Sequence, residues 1–252
     1  MTRTRLTILA IVALAAIGIG GFFAYDQVLR GDSVAALTLP PSAPAATAAA
    51  STSSASVSLA PGASADQASA GDVAGTWNVA SGSEAGYRVR ERLANLSAES
   101  DAVGRTPDVT GSITVEANGD GAKLTAGTLT VNTQTITSDR QMRDNRLRNE
   151  GLQTDQYPTA TFTLTQPVDV PTSALTGTAA NLTLVGDLTL HGVTKSVQIP
   201  AQAQLTGGQI QVAGSLGFPL ADFQISPPNV GGFVLSISDQ GTLEFLVAFT
   251  KG

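Results

Sequence analysis

Four arginines fall within nine residues, at Arg140, Arg143, Arg146 and Arg148, in a chain with only 14 Lys and Arg among 252 residues. A guanidinium is a planar fork of donors that fits a phosphate or carboxylate. The cluster could therefore receive an anionic head group. Asp139, Asp144 and Glu150 are interspersed with it, so a solvated face of internal ion pairs is the alternative. His191 is the only histidine. With no Cys and no second His, a zinc site of the usual nitrogen and sulfur type is not expected. Ser and Asp are plentiful enough to allow a Ser-His-Asp arrangement on paper. Nothing, however, places a nucleophile on a strained turn beside His191. No glycine-rich phosphate loop is present, and no enzyme chemistry is expected. Asn95-Leu96-Ser97 and Asn181-Leu182-Thr183 match the glycosylation sequon, which matters only in a host that uses it.

The arginines need an element to hold them. Ser138 and Gln141 have the spacing of a capping box, and no Gly or Pro interrupts Asp139 to Glu150. The spacing predicts a helix over about 138–150, stopped at Gly151 by a left-handed residue. Tyr157-Pro158 restarts the chain in extended form. Thr159 to Gln166 then alternates apolar residues with Thr, as a half-buried strand does.

The remaining chain sets the class. A net charge of -6 argues against nucleic-acid binding. Leu6 to Tyr25 is a run of 20 uncharged residues behind Arg3 and Arg5. It is long enough to span a bilayer, with the rest of the chain outside the cytoplasm. A transmembrane anchor over 1–30 is expected, and a cleaved signal peptide with secretion is the alternative. Residues 31–72 are Ala, Ser, Thr and Pro with few large apolar side chains, which predicts a disordered linker.

Residues 73–252 read as one all-β domain. Strands are expected at Gly75–Ser81, Ala85–Leu93, Asp108–Ala117, Ala122–Asn132, Thr178–Leu190, Thr194–Leu205, Gln209–Leu220, Phe233–Ser238 and Thr242–Thr250. Asn95 to Thr106 reads as loop. Asn118-Gly119-Asp120-Gly121 is a hairpin turn. The apolar phase slips between Leu124 and Leu129, which predicts a β-bulge at Gly127. Pro200 marks an edge or an irregularity. Each strand has one apolar and one Thr/Gln/Ser-rich face. That combination fits an antiparallel up-and-down barrel with a wet outside and an apolar inside. A β-sandwich with a filled core fits the same periodicity.

Three segments carry a family resemblance: RDNRLRNEGLQTDQYPTATFTLT, then VGDLTLHGVTKSVQIPAQAQL, then FPLADFQIS. Their order and content resemble the YceI-like family of exported lipocalin-like proteins. The resemblance implies a lipocalin-like barrel holding a polyisoprenoid lipid, such as an isoprenoid quinone or a prenyl phosphate. It implies a non-catalytic carrier with no cofactor beyond that lipid. The first strand departs from the family, which often carries Asp-x-x-His-Ser where this chain has Ser81-Gly82-Ser83-Glu84-Ala85.

On this reading Tyr87, Val89, Phe162, Leu164, Leu184 and Leu188 line the lumen. So do Val197, Ile199, Phe218, Phe245 and Phe249, while Met142 and Leu147 of the helix cap one end. Arg140, Arg143, Arg146, Arg148 and His191 are head-group candidates. A structural or protein-interaction β-domain with a filled core is the alternative, and a hydrolase using His191 a third reading.

Overall fold

The computed structural model describes residues 34–41, 70–94, 99–228 and 234–252. The expected membrane segment and most of the linker lie outside them. Twelve strands form one antiparallel sheet: β1 (Gly75–Val79), β2 (Glu84–Leu93), β3 (Glu99–Thr106), β4 (Val109–Asn118), β5 (Gly121–Asn132), β6 (Thr137–Ser138), β7 (Thr159–Leu164), β8 (Val168–Val170), β9 (Ala180–Leu190), β10 (Val193–Thr206), β11 (Gln209–Pro219) and β12 (Val234–Lys251).

The sheet closes. β12 pairs with β11 on one side, and its last residues pair with β1, as in Val79 opposite Phe249. The circuit β1-β4-β5-β7-β9-β10-β11-β12 is an eight-stranded barrel. Closure leaves no bare edge in the circuit, and it excludes the two-sheet sandwich.

The order is not strictly up-and-down. β1 pairs with β4 rather than with β2. The long β12 carries β2 along its first half and β1 at its end. The chain steps between them at Ser81-Gly82, where Gly82 has φ 88. The Ser83 hydroxyl donates to the Ala80 carbonyl at 2.7 Å and accepts from the Ala248 N–H at 3.1 Å. Ser83 thus joins the two collinear strands. Beyond β2 the sheet continues through β3 to β6 as a flap at one barrel end.

Several expectations are corrected. Glu99–Thr106 is a strand and not part of a loop. It has little apolar alternation of its own and owes its form to the ladder with β2. The bulge falls at Thr125: Thr114 faces Ala126, whereas Val115 faces Leu124. Residues 234–251 form one strand rather than two, with an irregularity between Ile237 and Gly241. β8 and the short helix α3 (Thr172–Leu175) were not anticipated. Pro200 stands where the β10–β11 ladder stops, at Ala201 opposite Gly214.

The helix is shorter than 138–150. α2 spans Gln141–Arg146 and continues into one wide turn, Leu147–Gly151, closed by the Leu152 N–H on the Leu147 carbonyl at 2.7 Å. Ser138 is not its cap, because Ser138 is held in β6 opposite Gly104. Its N–H and hydroxyl donate instead to Asp144 Oδ1 at 2.9 and 2.6 Å. The left-handed residue after the helix is Gln153, with φ 47, and not Gly151.

The opposite barrel end is a floor. α1 (Ala70–Val73) and α3 cover it, and Val73, Trp77, Ala122 and Leu175 form its buried cluster. The Trp77 indole N–H donates to the Val73 carbonyl at 2.8 Å, which satisfies its one polar group away from water.

Eight residues of the expected linker are among those described. Val34 to Pro41 lies along the outer face of the barrel, where Arg88, Arg105, Glu244 and Gln204 bond its backbone.

Candidate functional site

Inside the barrel is a cavity of about 470 Å³. The alternation of β7, β9, β10 and β12 sends their apolar faces into it. Tyr87 and Val89 of β2, Phe162 and Leu164 of β7, and Leu184 and Leu188 of β9 are on its wall. Ile199 of β10, Phe218 of β11 and Phe245 and Phe249 of β12 complete the predicted set there. Val197 does not reach the cavity. It packs between the Leu188–Phe218 and Leu184–Ile199 groups of the core.

Space inside is set by glycines opposite aromatic rings. A Cβ on Gly186 would lie 2.5 Å from Phe162 Cζ, and one on Gly104 would lie 2.4 Å from Tyr87 Cε1. Both distances are below any tolerable contact, so each ring packs against a glycine where a larger residue would displace it. The Gly104 role escaped the sequence reading, since a lone Gly in a polar stretch looks like loop.

The floor is closed by side chains at most 6% exposed, among them Val73, Ala122 and Leu175. The other end is a mouth. Its wall includes Met142, which is 69% exposed, together with Arg140, Pro227 and Pro228. Leu147 lies on the same wall. The two prolines, read only as loop, pack over the helix: Pro228 Cγ comes within 3.9 Å of a Cβ placed on Gly151.

The mouth's charges are mostly satisfied from within. Glu91 projects inward from β2 and is 5% exposed. Arg143 Nη2 donates to Glu91 Oε1 at 2.6 Å, and Arg143 Nη1 pairs with Asp139. Burial works against the Arg143 guanidinium, but Glu91 and Asp139 outweigh it and hold its pKa above the ordinary value. Burial pushes the Tyr87 phenol up to about 12 against the pull of Arg143, helped by Asp144, Glu91 and Asp139. Arg140 pairs with Asp139 at 3.6 Å.

The head-group candidates therefore divide. Arg140, Arg143 and Arg146 lie on the cavity wall, while Arg148 does not. Arg148 donates to the Gln134 and Ile136 carbonyls at 3.0 Å each and ties the helix to the preceding turn. Arg146 is the one candidate on the wall with no ion pair among the described residues.

His191 is outside the cavity wall as well. It sits at φ 52 in the β9–β10 turn, edge-on to Tyr157 at 4.6 Å. Its Nδ1 donates to the Phe223 carbonyl at 3.1 Å. In a catalytic triad that N–H would face a carboxylate, so the hydrolase reading finds no support in this geometry.

A YceI-like domain family model matches residues 64–249. No curated protein is matched. Among solved structures, a polyisoprenoid binding domain from Saccharophagus degradans, implicated in plant cell wall breakdown, superposes with a TM-score of 0.51 at 18% identity. It covers 70% of this chain and 98% of its own. Burkholderia cenocepacia BcnA gives 0.47 at 17% identity, over 66% of this chain and 95% of its own. A Campylobacter jejuni YceI protein gives 0.46 at 19% identity, over 59% and 85%.

Proposed function

Because the chain belongs to the YceI-like domain family, we propose that it is a non-catalytic carrier of an isoprenoid-type lipid, working outside the cytoplasm at the membrane. The observation that carries this reading is the closed-floored apolar cavity of about 470 Å³ with a mouth at one barrel end. Its volume falls within the range of small-molecule sites. A dry cavity of about 150 Å³ holds one six-carbon ring, so this one has room for about three to four isoprene units.

Burial at about 0.8 kcal/mol per CH₂ makes each five-carbon unit worth roughly 4 kcal/mol. Three units give roughly 12 kcal/mol before the cost of association, which is about 4 kcal/mol or more. The remainder corresponds to a dissociation constant near or above about 1 μM. No polar contact is needed for binding at that level.

The mouth favours a neutral head such as a quinone over a prenyl pyrophosphate. Glu91 and Asp139 already occupy Arg143, and Asp139 also engages Arg140. An incoming diphosphate would have to displace buried Glu91 from a 2.6 Å pair, with Arg146 as its one uncommitted partner on the wall. A quinone carbonyl needs only a donor, and the Tyr87 hydroxyl keeps its proton up to about pH 12.

The test is organic extraction and mass spectrometry of the protein purified from a host that makes isoprenoid quinones. A stoichiometric quinone is the expected result, and a prenyl phosphate instead would refute the head-group choice alone. A lipid-free protein that also refuses added prenyl lipids would overturn the carrier reading and favour an interaction module.

A further inference from the structure

Three observations on the outside of the barrel converge on its orientation. The first is the course of residues 34–41. The Val34 carbonyl accepts from Arg88 Nη2 at 2.8 Å, and the Ala35 carbonyl accepts from Arg105. Next, the Leu37 N–H donates to Glu244 Oε2 at 3.2 Å, and the Pro40 carbonyl accepts from Gln204 Nε2 at 3.3 Å. Arg88 stands level with Thr242 of β12, Glu244 is two residues further along, and Gln204 faces Gln211, which is level with Ala248. The segment therefore runs from mouth towards floor, and its N-terminal end points to the mouth.

The anchors bond one another on the Oε1 side of Glu244, and the segment's Leu37 N–H meets Oε2. Glu244, 3% exposed, takes ion pairs from Arg88 at 3.3 Å and Arg105 at 3.2 Å, and Arg88 also holds Asp101 at 3.0 Å.

The second observation is length. Residues 26–33 are all that separate Val34 from the apolar run Leu6 to Tyr25. Eight residues reach at most about 28 Å, and the rim at Leu93 lies about 17 Å beyond Arg88 along β2. Stretched towards the mouth, this span carries the end of the apolar run at most about 11 Å beyond the rim.

The third is the surface itself. The large apolar side chains left exposed among the described residues are Val34, Met142 and Leu235. Met142 is on the mouth wall, Leu235 is on the first turn of strand β12 beside the Val234–Leu93 pair, and Val34 is the mouthward end of the strap. None of them lies at the floor.

We propose that residues 34–41 are a strap that holds the barrel mouth-down on the bilayer entered by the chain's own N-terminal segment, with Met142 and Leu235 in contact with the lipid surface. The partner is a bilayer surface, and lipid would pass between bilayer and lumen without crossing water. The cavity's capacity of a few isoprene units fits this arrangement, because a longer tail or the head would remain at the mouth. The geometry stands without the carrier reading, but the transfer role rests on it.

The absence of native Cys makes site-specific labelling direct. The full chain carrying Met142→Cys, Leu235→Cys or, at the floor turn, Asp120→Cys would bear an environment-sensitive fluorophore. It would be reconstituted into phosphatidylcholine–phosphatidylglycerol vesicles containing nitroxide-labelled lipid. Quenching several-fold stronger at 142 and 235 than at 120 is expected. Replacing residues 34–41 by a Gly/Ser segment of equal length should bring the rim quenching down to the floor level. Equal quenching at rim and floor, stronger quenching at 120, or failure of the full chain to associate with vesicles would each overturn the orientation. Rim quenching unchanged by the Gly/Ser replacement would overturn the strap. Extraction of the same preparations keeps the outcomes apart: bound lipid with an unquenched rim refutes only the docking, and a quenched rim without lipid refutes only the carrier.

Discussion

Gly104→Ala tests whether the Tyr87 ring is part of a tightly built wall. The added Cβ would sit 2.4 Å from Tyr87 Cε1, 3.0 Å from Tyr87 Cζ and 3.0 Å from Ile136 Cγ2. Ordinary contact begins near 3.5 Å, so the ring must move by roughly 1 Å, and the cavity it lines offers the space. All three clashing atoms belong to side chains. Backbone pairing of β2 with β3, with Tyr87 opposite Gly104, can therefore survive. Overpacking of this kind costs about 1–3 kcal/mol. For a domain of this size that lowers Tm by about 2–9 °C. Urea or thermal unfolding measures it, and a displaced ring should also weaken prenyl-lipid binding at the mouth.

The decisive comparison is a cycle with Tyr87→Ala. Removing the ring removes most of the clash, so the double variant should be about 1–2 kcal/mol more stable than the sum of the single effects. Additivity within about 0.5 kcal/mol would refute the argument. It would mean that Gly104 is required by its backbone or by Ile136, and that the Tyr87 ring is not pinned against β3.

Two further predictions concern the mouth. Glu91→Ala should destabilise by about 2–4 kcal/mol, because it leaves a partly buried Arg143 with exposed Asp139 alone. Glu91→Leu combined with Arg143→Met should recover most of that loss, and denaturant unfolding of the two variants decides it. Tyr87 is neutral in the folded chain up to about pH 12, whereas in the unfolded chain a tyrosine ionises near 10. The unfolded state then binds fewer protons between those values, so stability is intact below about pH 10 and falls by about 2–3 kcal/mol as pH rises to about 12. Absorbance titration at 295 nm should show a late phase that Tyr87→Phe abolishes; a late phase surviving that substitution would refute the assignment.

Strand by strand, the sequence determined which faces are apolar. Period-two alternation depends only on the pleat, and it placed Phe162, Leu184, Ile199 and Phe245 inward. The Asn118–Gly121 turn and the restart at Tyr157-Pro158 are equally local, because Gly and Pro act on the backbone at their own positions. The family resemblance was legible too, and the YceI-like domain model matches residues 64–249.

What the tertiary structure decided was everything that depends on a distant partner. Closure needs β1 against the end of β12, more than 160 residues away, and no local pattern encodes that pairing. Ser138 has capping chemistry, yet the ladder with Gly104 claimed its backbone and left Asp144 to complete the turn. β3 reads as loop because its stability comes from β2 and its key residue is a Gly shaped to Tyr87. Val197 has the inward parity but meets packed core instead of the cavity, and Arg148 has the right chemistry but is spent on two carbonyls. Residues 34–41 have the composition of a free linker. They are ordered because Arg88, Arg105, Glu244 and Gln204, brought together from four strands, offer their backbone the hydrogen bonds it cannot make alone.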